Sequence, residues 1–163
     1  MLVKLPGKST FVALRPGQKL PYGTEIDTRK GRVTITTTPK AGARPESAVF
    51  YDGLFKISYA GGVTNLTLSE PLAACPKKGR AASAAKKAKS RKLWGKGKGA
   101  FRTTGKYSAA TVRGTTWLVQ DTCTTTTTRV TEGAVAVQDF AKKKTIVLRK
   151  GGKPYVARAK KKN

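Results

Sequence analysis

The chain has 163 residues, with 34 Lys/Arg against eight Asp/Glu, no histidine and a formal charge of +26. That length fits one modest core rather than several. Its longest apolar runs, such as residues 146–148, are far short of the roughly 20 residues a membrane helix needs. The charge is segregated. Residues 75–106 hold twelve Lys/Arg and residues 142–163 ten, neither with an acid, around a near-neutral Thr- and Val-rich stretch. Two like-charged blocks repel each other unless a polyanion offsets them, so a polyanionic partner is the first expectation.

Taken in chain order, the pattern is that of strands. The opening, Met1 to Pro6, has no apolar leader core, which reads as either a cytoplasmic chain or the excised mature part of a secreted one. Residues 10–14 run into the turn signal Arg15-Pro16-Gly17-Gln18, and Tyr22-Gly23 supplies another before residues 25–28. Residues 32–38 alternate apolar and polar as a half-buried strand does. Residues 40–46 read as loop. Residues 48–51 and 54–59 flank Asp52-Gly53 and predict a hairpin there, with a further strand after Gly61-Gly62. Residues 81–92 have high helix propensity but no apolar stripe, which predicts a surface loop or a marginal helix. Strand signals resume at residues 101–103, 107–111, 115–119, 124–130, 134–137 and 145–148, punctuated by Gly114 and Gly133. The tail from residue 157 is expected to fray.

The fold class is therefore all-β, a single turn-rich sandwich or a short solenoid-like twisted sheet carrying a basic loop insertion. Its expected parts are an N-terminal half (1–74), a basic Ala/Lys/Gly-rich loop (75–106), a C-terminal half (107–156) and a basic tail (157–163). Cys75 and Cys123 are too far apart for a redox pair, and without histidine a zinc site lacks ligands. A disulfide closing most of the basic block is one reading. Two buried free thiols are the other.

At Val112-Arg113-Gly114-Thr115 followed by Trp117-Leu118-Val119, and at Glu132-Gly133-Ala134-Val135-Ala136-Val137, the sequence resembles the extracytoplasmic domain of the FecR family. Gly17-Gln18-Lys19-Leu20 and Gly23-Thr24-Glu25-Ile26-Asp27-Thr28 are similar to that family's opening, and Val147 to Gly152 to its last strand and turn. The resemblance covers about residues 10–72 and 107–156. It implies an all-β fold outside the cytoplasm, secreted or in the cell envelope, like the FecR-like modules of Gram-positive surface proteins. It does not imply sigma-factor regulation, since no membrane span or sigma-binding segment is visible. The basic insertion departs from the regulators' pattern.

Catalysis finds little material: no histidine, scattered carboxylates, and no nucleophile with a neighbouring base. Gly7-Lys8-Ser9 lacks the glycine a phosphate loop needs at residue 2, and Glu132 and Asp121 read as carboxylates satisfied by local Arg or backbone N–H groups. The chain is read as no enzyme, without cofactor or metal. The binding constellation is Lys86, Lys87, Lys89, Arg91, Lys92, Trp94, Lys96, Lys98 and Arg102, where cations interleave with aromatics and glycines. The competing reading makes Trp94 and Phe101 core anchors. Lysine outnumbers arginine 23 to 11, which favours point-charge attraction over base readout. The expected function is a non-catalytic extracellular or envelope module binding anionic polymers, acidic polysaccharide or nucleic-acid backbone, without sequence specificity. The alternative is a structural subunit of a self-assembling surface layer or filament, suggested by threonines at residues 34–38 and 122–128 on both strand faces.

Overall fold

A computed structural model describes residues 1–77 and 87–161, and among them the chain is all-β, as expected. Lys86, and most of the segment read as loop or marginal helix, lie outside the described residues. Ahead of that segment lie β1 (Leu2–Lys4), β2 (Val12–Ala13), β3 (Glu25–Asp27), β4 (Arg32–Thr37), β5 (Glu46–Tyr51), β6 (Leu54–Ala60) and β7 (Val63–Leu68). After it come β8 (Ser90–Gly97), β9 (Phe101–Thr104), β10 (Ser108–Thr122), β11 (Thr125–Asp139), β12 (Lys144–Arg149) and β13 (Tyr155–Arg158).

The spine is the hairpin of β10 and β11, each 15 residues long. Gly114 and Gly133, expected to separate strands, instead lie inside them. Both have positive φ (75° and 71°), and the register slips between Val112 and Thr115. Such a bulge bends a strand without ending it. At the bend the partners change. Ala109–Thr111 pair with β9, whereas Thr115–Thr122 pair with β8; on β11, the first residues pair with β13 and the last with β12. One sheet thus becomes two wings. The first runs β2-β1-β3-β6-β7-β9 to the spine and β12, and the second β4-β5-β8 to the spine and β13.

The inner faces of the wings meet in an aromatic core. Phe50 on β5 lies 5.5 to 5.9 Å, centroid to centroid, from Phe55 on β6, Phe101 on β9 and Trp117 on β10. All four are fully buried, each worth roughly 1.5–3 kcal/mol of transfer free energy. The Trp117 indole N–H donates to Thr103 Oγ1 across the wings at 3.1 Å. In register, Val33, Phe50, Gly95, Trp117 and Val130 form one inward row. A Cβ on Gly95 would run into the Trp117 ring, so this glycine's close approach is to the core rather than to a ligand.

Four expectations are corrected. Asp52-Gly53 makes no hairpin: β5 pairs with β4 and β8, β6 with β3 and β7, and the chain crosses between wings there. A two-residue type I′ hairpin needs positive φ at both positions, and only Asp52 has it, at 64°. The hairpin forms at Gly61-Gly62 instead, both at positive φ. The basic block is not a loop throughout, because β8 and β9 occupy its second half and β8 sits mid-wing between β5 and β10. Alternating Leu93 and Gly95 toward the core suffices to place a lysine-rich strand there. The tail does not fray at residue 157: β13 pairs with β11 and Ala157 is fully buried. Finally, the run 122–128 is no assembly edge, since β11 is flanked on both sides and Thr126 and Thr128 point into the core.

Candidate polyanion-binding face

Strand alternation sends every second residue of the second wing outward. On β8 these are Lys92, Trp94 and Lys96; on β5, Val49 and Tyr51; on β4, Arg32, Thr34 and Thr36. Register then aligns Arg32, Tyr51, Trp94, Leu118 and Arg129 as one row across five strands. Neighbouring strands lie about 4.8 Å apart. At that spacing the side chains stack: the Arg32 guanidinium carbon is 4.6 Å from the Tyr51 ring centroid, and Tyr51 and Trp94 are parallel within 3° at 6.1 Å. Two further rows carry Lys96 beside Thr116, and Arg158 beside Thr125.

Charge on this face is lopsided. Lys92 pairs with Asp52 at 2.6 Å, and Glu132 accepts a hydrogen bond from Thr116 Oγ1. Arg32, Lys96, Arg129 and Arg158 have no carboxylate within ion-pair distance among the described residues. Their charge is thus uncompensated where it can meet a ligand.

The sequence-predicted constellation is only partly gathered here. Lys92, Trp94 and Lys96 share the face, and Lys98 follows them, exposed in the turn to β9. Lys87 and Lys89 are exposed just before β8. Arg91 points the other way: its Nε donates to the fully buried Asp121 carboxylate at 2.9 Å and its Nη1 to the Glu70 carbonyl at 3.0 Å. Arg102 lies on the outer face of the first wing, bonded to Thr111. Replacing Lys86, Lys87, Lys89, Arg91 and Lys92 together would therefore alter stability as well as binding. Of the two aromatics, Phe101 is a core anchor and Trp94 is half-buried on the outer row. Sequence reading missed Arg32, Tyr51, Arg129 and Arg158; each faces outward by its own strand's alternation, but nothing local sets them in adjoining rows.

Cys75 and Cys123 form a disulfide, with Cα atoms 5.1 Å apart. It ties the segment after β7 to the turn between β10 and β11, and the loop it closes runs through β8, β9 and β10. Asn65-Leu66-Thr67, which has the Asn-x-Thr spacing of an N-glycosylation acceptor, lies within β7, where Asn65 accepts from Thr104 Oγ1 at 2.6 Å and donates to Thr67 Oγ1 at 3.0 Å.

A second fastening lies beneath β13. Tyr155 Oη donates to Asp139 Oδ2 at 2.7 Å, and Lys142 N–H donates to Oδ1 at 2.9 Å. Burial opposes ionisation of Asp139, yet these hydrogen bonds and the Lys142 charge outweigh it and hold the carboxyl below its usual range. Burial first, then the Asp139 bond and charge, pushes the Tyr155 phenol up to about 12. Because the folded value is raised, the phenol's contribution is whole below its unfolded value near 10 and is lost as pH rises through about 12. Tyr155→Phe is expected to cost about 2 kcal/mol at pH 8. It should also shrink the fall in urea midpoint between pH 9 and 11; equal falls in both proteins would refute the assignment.

Compared with known proteins, the chain matches no protein-family model and no curated protein. The resemblance to FecR-like modules therefore rests on its motifs alone.

Proposed function

We propose that this chain is a non-catalytic extracellular or cell-envelope module that holds anionic polymers on the outer face of its second wing, without sequence specificity. The observation that carries the reading is the set of uncompensated cations, Arg32, Lys96, Arg129 and Arg158, spread over β4, β8, β11 and β13 on one face. Threonines on the sheet surface between them add hydroxyl groups, of which Thr116 Oγ1 donates to Glu132. The disulfide supports an oxidising compartment, and the FecR-like motifs agree with that placement. The ring of Tyr51 is covered by Trp94 on one side and Arg32 on the other, which favours contact with phosphates, sulfates or carboxylates over base stacking there.

Binding to an acidic polysaccharide and to single-stranded DNA, titrated with salt, tests the reading. Lys96→Gln, Arg129→Gln and Arg158→Gln combined are expected to lower the slope of log K against log salt by about 2 to 3, as loss of three ionic contacts requires. The melting temperature should stay put, because all three side chains are exposed. An unchanged slope would remove this face as the site. The alternative of a self-assembling surface subunit retains one observation, that β4 pairs only with β5 among the described residues, and light scattering on the protein alone decides it.

A further inference from the structure

The curled sheet does not close. At its open side β4 pairs with β5 alone, so its other backbone edge is free among the described residues. Across from it stands the loop of residues 14–22, shaped by the turn in which Gln18 N donates to the Arg15 carbonyl and Gly17 takes positive φ. Between them lies a cleft of about 730 Å³. Its walls combine apolar Leu14, Leu20, Ile26 and Ile35 with the cations Arg15, Lys19 and Arg32. Among the described residues that line it, none is acidic.

An unpaired strand edge offers alternate N–H and C=O groups to an added strand, and cleft walls read the added side chains. Here the reading is specific. A strand laid along β4 would set alternate side chains inward beside Val33 and Ile35, where the cleft is apolar, and the others outward beside Arg32, where the charge is positive. A second copy is a poor occupant, since both surfaces would be cationic in a chain of charge +26. We propose that the β4 edge and its cleft bind an extended peptide that alternates acidic and apolar residues, as an added strand. This site lies at the rim of the polymer-binding face and shares Arg32, Thr34 and Thr36 with it, Arg32 being the one shared cation.

The probe is a capped seven-residue peptide, Glu and Val alternating, followed by amide hydrogen exchange in the whole protein. Exchange at alternate amides across Arg32–Thr37 should slow about tenfold on saturation. Arg32→Glu, a surface change that leaves the core intact, should weaken the peptide about tenfold, and a Lys/Val peptide should bind that variant instead. Several outcomes would overturn the proposal: no protection in β4, or equal protection by a peptide of the same composition with its glutamates grouped, which would mean attraction by net charge. So would equal protection of β4 by a linear acidic polysaccharide, which would make the edge part of the polymer site. Protection of β4 in the protein alone, with a doubled mass in solution, would put a second copy there.

Discussion

Asp121→Ala is expected to destabilise the protein by about 3–5 kcal/mol, the cost of stranding a buried charge and its hydrogen-bond donors. The carboxylate is fully buried near the end of β10 and joins three parts of the chain. It accepts from Arg91 Nε at 2.9 Å, from the Lys106 N–H through both oxygens at 2.9 and 3.0 Å, and from Thr126 Oγ1 at 2.6 Å. Gly105 lies so close that a Cβ there would meet Oδ1, so position 105 admits no larger side chain beside the carboxylate. Alanine removes the acceptor while the Arg91 guanidinium, its side chain only 17% exposed, stays behind. At roughly 2–4 °C per kcal/mol for a chain of this size, melting should drop by about 10 °C or more. The double variant Arg91→Ala/Asp121→Ala should lose less than the sum of the singles, since each single strands the other's partner. A loss below about 1 kcal/mol for Asp121→Ala would show that the pair contributes nothing beyond its desolvation cost.

The second large effect is expected from the disulfide. Cys75 and Cys123 are 48 residues apart, and in the chain-entropy model a loop of that length removes about 4 kcal/mol of denatured-state freedom. The closed loop contains the whole 75–106 basic block, whose self-repulsion favours expanded states once the link is cut. Reduction, or Cys75→Ala/Cys123→Ala, should therefore lower the melting temperature by about 10 °C, and by more at low salt, where repulsion is less screened. The turn itself should survive, because the Cys123 carbonyl accepts from Tyr107 Oη at 2.7 Å and from Lys106 Nζ at 3.2 Å. Scanning calorimetry with and without reductant, at two salt concentrations, measures both. An unchanged melting temperature would mean that the bridge does not constrain the denatured chain.

These two fastenings bear on the proposed polymer face in the same way. Arg91, through Asp121, ties β8 to the spine, the bridge ties the segment after β7 to the end of β10, and β8 presents Lys92, Trp94 and Lys96 outward. Weakening either should loosen the central strand of the cationic face, so binding measurements belong at temperatures where each variant is fully folded.

The sequence by itself determined the all-β class, the outward and inward sides of most strands and the strong, segregated positive charge of the chain. Alternation of period two is local, and so is composition: residues 32–37 or 115–119 reveal their buried side without reference to any other segment. The tertiary structure alone decided which strands meet. Asp52-Gly53 looked like a hairpin because its dipeptide is a common one, yet the chain crosses between wings there. Gly114 and Gly133 looked like strand ends because glycine punctuates, yet they bend two continuous strands at a bulge. Arg91 looked like its cationic neighbours until Asp121, thirty residues away, was brought beside it. Likewise Arg32, Tyr51, Trp94 and Arg129 became one row only through the pairing of β4, β5, β8, β10 and β11. Strand pairing is set by the shared core of Phe50, Phe55, Phe101 and Trp117, a packing among distant segments that no local pattern encodes.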